Sequence, residues 1–493
     1  MVPCRLARRL PVFIVIFVLL AALPACAAPP PEATATETPA PTPLVVAVAT
    51  PELSATPTLE PTGTPTETVT STATATETST AVPTETAAPT GTPTARATAT
   101  PPPSATPTRS PTAVPTATLP PPTPTAAPRS QGSRLFLGYY VPYDVSSWNS
   151  LQSQAASLDY VVLQVATFDY CGGISSREDR TLKAFAQSSG LPVLASLFTS
   201  SEPLNHALLT DPASRANAVQ QVAAYVVEEG YAGIDLDLEA VAATDRAALT
   251  SFVAEVSTAL RARGKLVTMA VPAKTREVTT GWAGAYDYAA LAPSLDLVII
   301  MSYSYTTSSS APGSTAPYSW VDQVAAYATS QFPPQKVLLG MAFYGYDWNT
   351  TVGGRAKALL YPQAVAVART YGQAIVLDPV TRSAKFSYAA GGNDPLPYQA
   401  SPSVTGHDVV VRQPAACPKG PPPSPTAVPR TPVPTPSPTP APASQNHVVW
   451  LEDAAAVAAK LEIVSRYGAG GAAAWRLGQE DPAVWPAVAA WAR

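Results

Sequence analysis

The chain has 493 residues, 57 of them proline, only 13% charged, and a net charge of −4. Most of the prolines fall in low-complexity stretches that cannot assemble a core, so the length accommodates one sizeable domain rather than three. With 30 Lys and Arg against 34 Asp and Glu and no basic cluster, the composition excludes an electrostatic footprint for nucleic acid and leaves neutral or small partners.

The N-terminus, residues 1–27, reads as a signal peptide: Arg5, Arg8 and Arg9, then an apolar run from Val12 to Leu20, then small residues. The apolar run falls short of the ~20 residues a bilayer span needs, so export is expected rather than a transmembrane anchor. Leu23-Pro-Ala-Cys26 is similar to a bacterial lipobox, in which Cys26 would carry lipid; Ala25-Cys26-Ala27 equally suits ordinary cleavage. A cell-surface lipoprotein and a secreted protein are both open.

Residues 28–131 are Thr, Pro, Ala and Glu with almost no large apolar side chains, a composition that cannot fold compactly and predicts a disordered stalk. In extended polyproline form, at about 3.1 Å per residue, such a stalk reaches on the order of 200 to 300 Å. Its threonines suit O-glycosylation, and an unmodified spacer fits the composition as well.

From residue 132 to 493 short apolar runs alternate with helical patterns. Eight strands are predicted: Leu135–Val141, Tyr160–Ala166, Pro192–Leu197, Gly233–Asp237, Leu266–Val271, Leu297–Ser302, Val337–Phe343 and Ala472–Trp475. Helices of suitable length lie between most of them, as at Pro212–Glu229, Asp245–Arg263, Ser319–Gln331 and Asp453–Tyr467. The fold class is therefore α/β, and eight such units predict a closed (β/α)8 TIM barrel, with an open doubly wound sheet as the runner-up. An insertion, residues 349–446, interrupts the pattern after the seventh strand. A helix around Leu360–Tyr371 and strands at Ala374–Leu377, Ala384–Tyr388 and Asp408–Val411 are expected to form a small α+β subdomain with His447–Leu451. A second Pro-rich tract, 414–443, follows inside the same insertion.

The fourth strand carries the strongest chemical signal. In Gly233-Ile-Asp-Leu-Asp-Leu-Glu239, the acids Asp235, Asp237 and Glu239 alternate with Ile234, Leu236 and Leu238, so a strand puts all three carboxylates on one face. Like charges this close cannot all ionise freely, which raises at least one carboxyl pKa and sets a proton donor beside an anion, as glycosidic cleavage requires. In a (β/α)8 barrel the C-terminal strand ends are the functional face. Tyr139 and Tyr140 after the first strand, Tyr303 after the sixth and Trp475 after the eighth lie at the same level and suit stacking on sugar rings. The three histidines, His206, His407 and His447, have no metal-ligand spacing, and no glycine-rich loop is followed by a phosphate-binding lysine, so neither metal nor cofactor is expected. Cys171 and Cys417 fall in loops expected on one barrel face of an exported protein, which predicts a disulfide.

These motifs, in this order, resemble glycoside hydrolase family 18, the chitinases and related N-acetylglucosaminidases. Gly233 to Glu239 resembles the family's DGxDxDxE motif, Leu137-Gly-Tyr-Tyr-Val-Pro-Tyr143 its opening strand, Met301-Ser-Tyr303 its Met-x-Tyr, Met341 to Trp348 its seventh strand and Ala474-Trp475-Arg-Leu-Gly478 its eighth. The closing half resembles bacterial members related to cell-wall hydrolases. The resemblance implies substrate-assisted, retaining cleavage of a β-linked N-acetylhexosamine glycan, of chitin or peptidoglycan type, by a monomer. It implies Glu239 as the acid, Asp237 as the group that orients the substrate's acetamido, Asp235 as its tuner, and Tyr303 as a donor to the acetamido oxygen. Tyr139, Tyr140, Met301, Tyr344 and Trp475 are implied substrate contacts. Two departures stand out: Ala232 replaces the first motif aspartate, a support for Asp235, and Ser304 replaces an aspartate after Tyr303. They keep a second expectation open, a weakly active or lectin-like glycan-binding protein.

Overall fold

The computed structural model describes residues 134–392, 394, 397–399, 401–420 and 444–492. The predicted signal peptide with Cys26, the predicted stalk and residues 421–443 of the proline tract lie outside them. The strands in chain order are β1 (Leu135–Tyr140), β2 (Tyr160–Phe168), β3 (Ile174–Asp179), β4 (Val193–Thr199), β5 (Gly233–Leu238), β6 (Leu266–Pro272), β7 (Leu297–Met301), β8 (Val337–Ala342), β9 (Tyr344–Asn349), β10 (Lys357–Leu360), β11 (Val376–Leu377), β12 (Ala384–Gly391), β13 (Val409–Arg412), β14 (Ser444–Leu451) and β15 (Gly471–Trp475).

Eight of these close a parallel barrel. The order is β1-β15-β8-β7-β6-β5-β4-β2, and β1 pairs in parallel with both β15 and β2. All eight expected barrel strands are present, and closure decides against the open sheet. Alternation on each strand divides the core in two. On β1, Leu135, Leu137 and Tyr139 join an inner cluster with Val162, Leu194 and Ile299, while Phe136 and Tyr140 pack outward against the helices. The helices Pro212–Glu228, Arg246–Arg261, Tyr318–Gln331 and Ala454–Arg466 bury their apolar faces on that outer layer.

The insertion departs from its sequence reading in two ways. Tyr344–Asn349 is already a strand of the second sheet, in the order β10-β9-β14-β12-β11, so the excursion from the barrel begins before residue 349. The expected strand Asp408–Val411 forms as β13 but does not join that sheet: it pairs antiparallel with β3. The reason is an open edge. β3 folds back from β2 as an antiparallel hairpin outside the closed barrel and would otherwise expose its backbone groups. Polar Ser175, Ser176 and Arg177 gave β3 no apolar run in the sequence.

Residues 401–420 thus run along the outside of the barrel. Val145 N–H donates to Pro402 O at 2.8 Å, His407 Nδ1 lies 2.6 Å from Asp179 Oδ2, and Cys417 is disulfide-bonded to Cys171 beyond β2. Such a cross-link, joining residues 246 apart, stabilises chiefly by restricting the unfolded chain. On the other side of the subdomain, buried Lys460 donates to Glu452 Oε2 at 2.6 Å and to Arg382 O at 2.7 Å, tying the second sheet to the helix before β15.

Candidate active site

β5 places its acids at the barrel mouth, as the alternation predicted. Ile234, Leu236 and Leu238 are buried in the outer core, which commits Asp235 and Asp237 to the interior. Asp235 is 0% and Asp237 5% exposed; Glu239, one residue past the strand, is half-buried. Asp235 is fully engaged: Tyr139 donates its hydroxyl to Oδ2 at 2.9 Å and Thr268 donates to Oδ1 at 2.6 Å. Asp237 differs, because its buried Oδ1 has no hydrogen-bond partner among the described residues.

The three carboxyls are all held above their ordinary pKa. Burial pushes Asp235 to about 6, opposed by the hydrogen bonds from Thr268 and Tyr139. Burial, then the charges of Asp235 and Glu239, raise Asp237 well above the usual carboxylate range. Burial alone raises Glu239. A raised carboxyl binds its proton more tightly in the folded chain, so the site's contribution to stability is complete below about pH 4, the unfolded value, and is lost as pH rises through the folded values. Asp237→Asn removes that slope. Its melting temperature relative to wild type is expected to increase from pH 4 to pH 7; a difference that stays flat or falls over that range, measured by thermal denaturation, contradicts the raised pKa.

Aromatic residues enclose the acids. Tyr139 meets Trp475 edge to face at 5.4 Å, and both cap the inner cluster. Tyr303 meets Tyr344 at 6.2 Å, and Tyr344 OH lies 3.1 Å from Ser304 Oγ. Burial, then Tyr344 and the charges of Asp237, Glu239 and Asp235, raise the Tyr303 phenol well above its ordinary pKa, so it keeps its proton as a donor. Gly340 on β8 makes room for this ring, since a Cβ there would lie 2.8 Å from Tyr303 Cε1. Met301 ends β7 in the same alternation as the inward Leu297 and Ile299.

Tyr140 is a correction. It is 0% exposed, on the outward face of β1 against Trp148, with ring centroids 6.4 Å apart, and so cannot touch a ligand at the mouth. Neighbouring positions on a strand face opposite ways, and with Tyr139 inside, Tyr140 belongs to the helix layer. Ala232 also reads differently here. It packs at the foot of the barrel with Leu135, Tyr160 and Leu266, about 10 Å along the strand from Asp235, whose two oxygens already have donors. Ser304 is exposed and has φ 62°, and Ala240 has φ 55°, so a left-handed residue directly follows both Tyr303 and Glu239. Non-glycine residues held there cost about 1–3 kcal/mol each, strain that collects at functional sites.

Three residues of this neighbourhood carried no sequence signal. Thr268 is an ordinary position of β6, Tyr286 sits in an aperiodic loop, and Asn205 lies on the unpredicted helix Glu202–Thr210. Tyr286 donates to Leu238 O at 2.6 Å, and Asn205 Nδ2 donates to Glu239 O. Each histidine sits against its own aspartate, His206 on Asp245, His407 on Asp179 and His447 on Asp347, in separate parts of the chain. Among the described residues one group, Asp169, Cys171 and Cys417, gathers three potential metal-ligand atoms within 4.8 Å, but its two sulfurs are bonded to each other.

A family model described as glycosyl hydrolases family 18 matches residues 136–480. The cortical fragment-lytic enzyme of Bacillus anthracis is 23% identical over 366 residues, covering 71% of this chain and 72% of that protein. YdhD of Bacillus subtilis, named for a sporulation-specific glycosylase, is 32% identical over 186 residues, 37% of this chain; the match spans less than half, 44%, of that relative's length. Among solved structures, a chitinase from Chromobacterium violaceum superposes with a TM-score of 0.59 at 25% identity, covering 73% of this chain and 99% of that one. The spore cortex-lytic enzyme SleL of Bacillus megaterium superposes with a TM-score of 0.58 at 21% identity, covering 73% and 75%, a likeness of fold.

Proposed function

The chain belongs to glycosyl hydrolases family 18, a family of glycosidases, and from that premise we propose that it is an exported hydrolase of β-linked N-acetylhexosamine glycans, of chitin or peptidoglycan type, working by substrate-assisted, retaining catalysis. One observation carries the reading: a row of three carboxyls at the barrel mouth in which Asp237 keeps a buried oxygen, Oδ1, without a hydrogen-bond partner among the described residues. A sugar's 2-acetamido N–H suits that oxygen.

In this reading Glu239, whose raised pKa keeps it protonated toward neutral pH, gives its proton to the glycosidic oxygen as the C1–O bond breaks. The acetamido carbonyl oxygen closes on C1. Asp237 accepts the acetamido N–H, and the positive charge developing on that group offsets the burial and like-charge repulsion that raise this carboxyl, favouring its anionic form as the counter-charge; Asp235, fixed by Tyr139 and Thr268, sets the proton affinity of Asp237. Tyr303 donates to the acetamido oxygen, and Trp475 lies under the ring. Water then opens the cyclic intermediate, with Glu239 as base, and the product keeps its anomeric configuration.

Supporting a working enzyme over a lectin-like one, both departures from the family pattern leave the row intact: Asp235 has its donors without a carboxylate at 232, and Ser304 reaches Tyr344. The test is the full-length protein against chito-oligosaccharides and muropeptides. Release of shortened sugars from at least one series is expected, and the series cleaved identifies the polymer. Binding to either series without any product leaves the lectin-like reading standing instead.

A further inference from the structure

We propose that Asn205 is a positioning residue for Glu239, acting through the peptide that carries the acid rather than on substrate; the inference rests on the reading of Glu239 as general acid. Glu239 lies one residue past β5, where its N–H makes the last bond of the β4–β5 ladder and its C=O has no ladder partner, and the left-handed Ala240 follows at once. Its carboxyl must nevertheless be fixed against a glycosidic oxygen. Three elements hold the peptide: Glu239 N–H donates to Thr199 O at 2.7 Å, Tyr286 donates to Leu238 O at 2.6 Å, and Asn205 Nδ2 donates to Glu239 O.

Asn205 is the member with chemistry specific to this task. It is 0% exposed, and its two amide ends are both used, since Thr199 Oγ1 donates to Asn205 Oδ1 at 2.5 Å. A carbonyl only accepts, so Glu239 O fixes which end of the amide faces it and Thr199 completes the orientation. The amide thus bridges the end of β4 to the residue after β5. Its helix is itself anchored: Leu208 and Leu209 are buried, and the neighbouring His206 lies 2.9 Å from Asp245 Oδ2 in the turn that follows the acid. Without the Nδ2 donor, Glu239 O is left without this bond and the strained Glu239–Ala240 link is free to shift. Small displacements of a catalytic group cost turnover while leaving the ground-state sugar contacts in place.

The test uses leaving-group demand. An alkoxide leaving group needs the proton from Glu239, whereas 2,4-dinitrophenolate departs with little help, so a defect in the acid shows on the first substrate and shrinks on the second. In the full-length protein, Asn205→Asp replaces the donor by an acceptor at equal size, and Thr199→Val unhooks Asn205 while keeping the backbone bond between Glu239 and Thr199. For Asn205→Asp, kcat/KM on an N-acetylglucosamine oligomer is expected to fall by about 10- to 100-fold, with a loss in kcat/KM under about threefold on the dinitrophenyl glycoside, whose C1–O bond breaks without the acid; Thr199→Val follows in the same direction with a smaller loss. Equal losses of kcat/KM on both substrates, or no loss on the oligomer, overturn the proposal. If Asn205→Asp does not fold, Thr199→Val decides by the same ratio. A wild type that cleaves both substrates while Glu239→Gln shows the leaving-group dependence and the Asn205 and Thr199 variants do not rejects this inference alone. A wild type that cleaves neither rejects the acid assignment with it.

Discussion

Glu239→Gln is expected to lower turnover of an N-acetylhexosamine oligomer by about 10²- to 10⁴-fold, the range for losing a general acid, while leaving sugar binding within a few-fold of wild type. The glutamine keeps the shape and a hydrogen-bond donor but has no transferable proton. Its backbone anchors at Thr199 O, Asn205 and Tyr286 do not involve the side chain, so the loop conformation survives the exchange. Burial holds the Glu239 pKa up, and the acidic form is therefore present further toward neutral pH than an exposed glutamate allows. Steady-state hydrolysis with calorimetric binding separates the two effects. Equal turnover in wild type and variant removes Glu239 from the mechanism.

Asp237→Asn carries the second large effect, and for a different reason. The proton donor is intact, but the developing positive charge on the acetamido group loses its counter-charge, in a site where Asp237 is 5% exposed and little water screens it. Removing one such preorganised electrostatic partner costs on the order of 10²- to 10³-fold in kcat. KM should change little, because an amide oxygen still accepts the acetamido N–H. The same substitution is the one expected to gain stability with rising pH, so one variant is predicted to trade activity for stability at neutral pH. A kcat within about threefold of wild type would show that Asp237 does not stabilise charge.

How far the sequence revealed this arrangement depends on the kind of signal each residue leaves. Barrel strands announce themselves as apolar runs between helical periods, and Asp235, Asp237 and Glu239 stand out because a two-residue alternation of acid and aliphatic has few other uses. Adjacent aromatics do not announce which one points inward: Tyr139 and Tyr140 look alike until β1 is seen to put Leu135 and Leu137 in the inner cluster. β13 was visible as a strand, but its partner was not, since β3 is polar and the pairing spans more than 200 residues. Asn205, Thr268 and Tyr286 left no trace because their work is done by position in space, with side chains that any surface helix, strand or loop carries.

The most direct test of the account is the configuration of the first-formed product. Proton NMR of wild-type protein acting on an N-acetylglucosamine oligomer, recorded before mutarotation, should show the β-anomer appearing first at the new reducing end, as a mechanism through the substrate's own acetamido group requires. An α-anomer formed first, by direct attack of water, contradicts it.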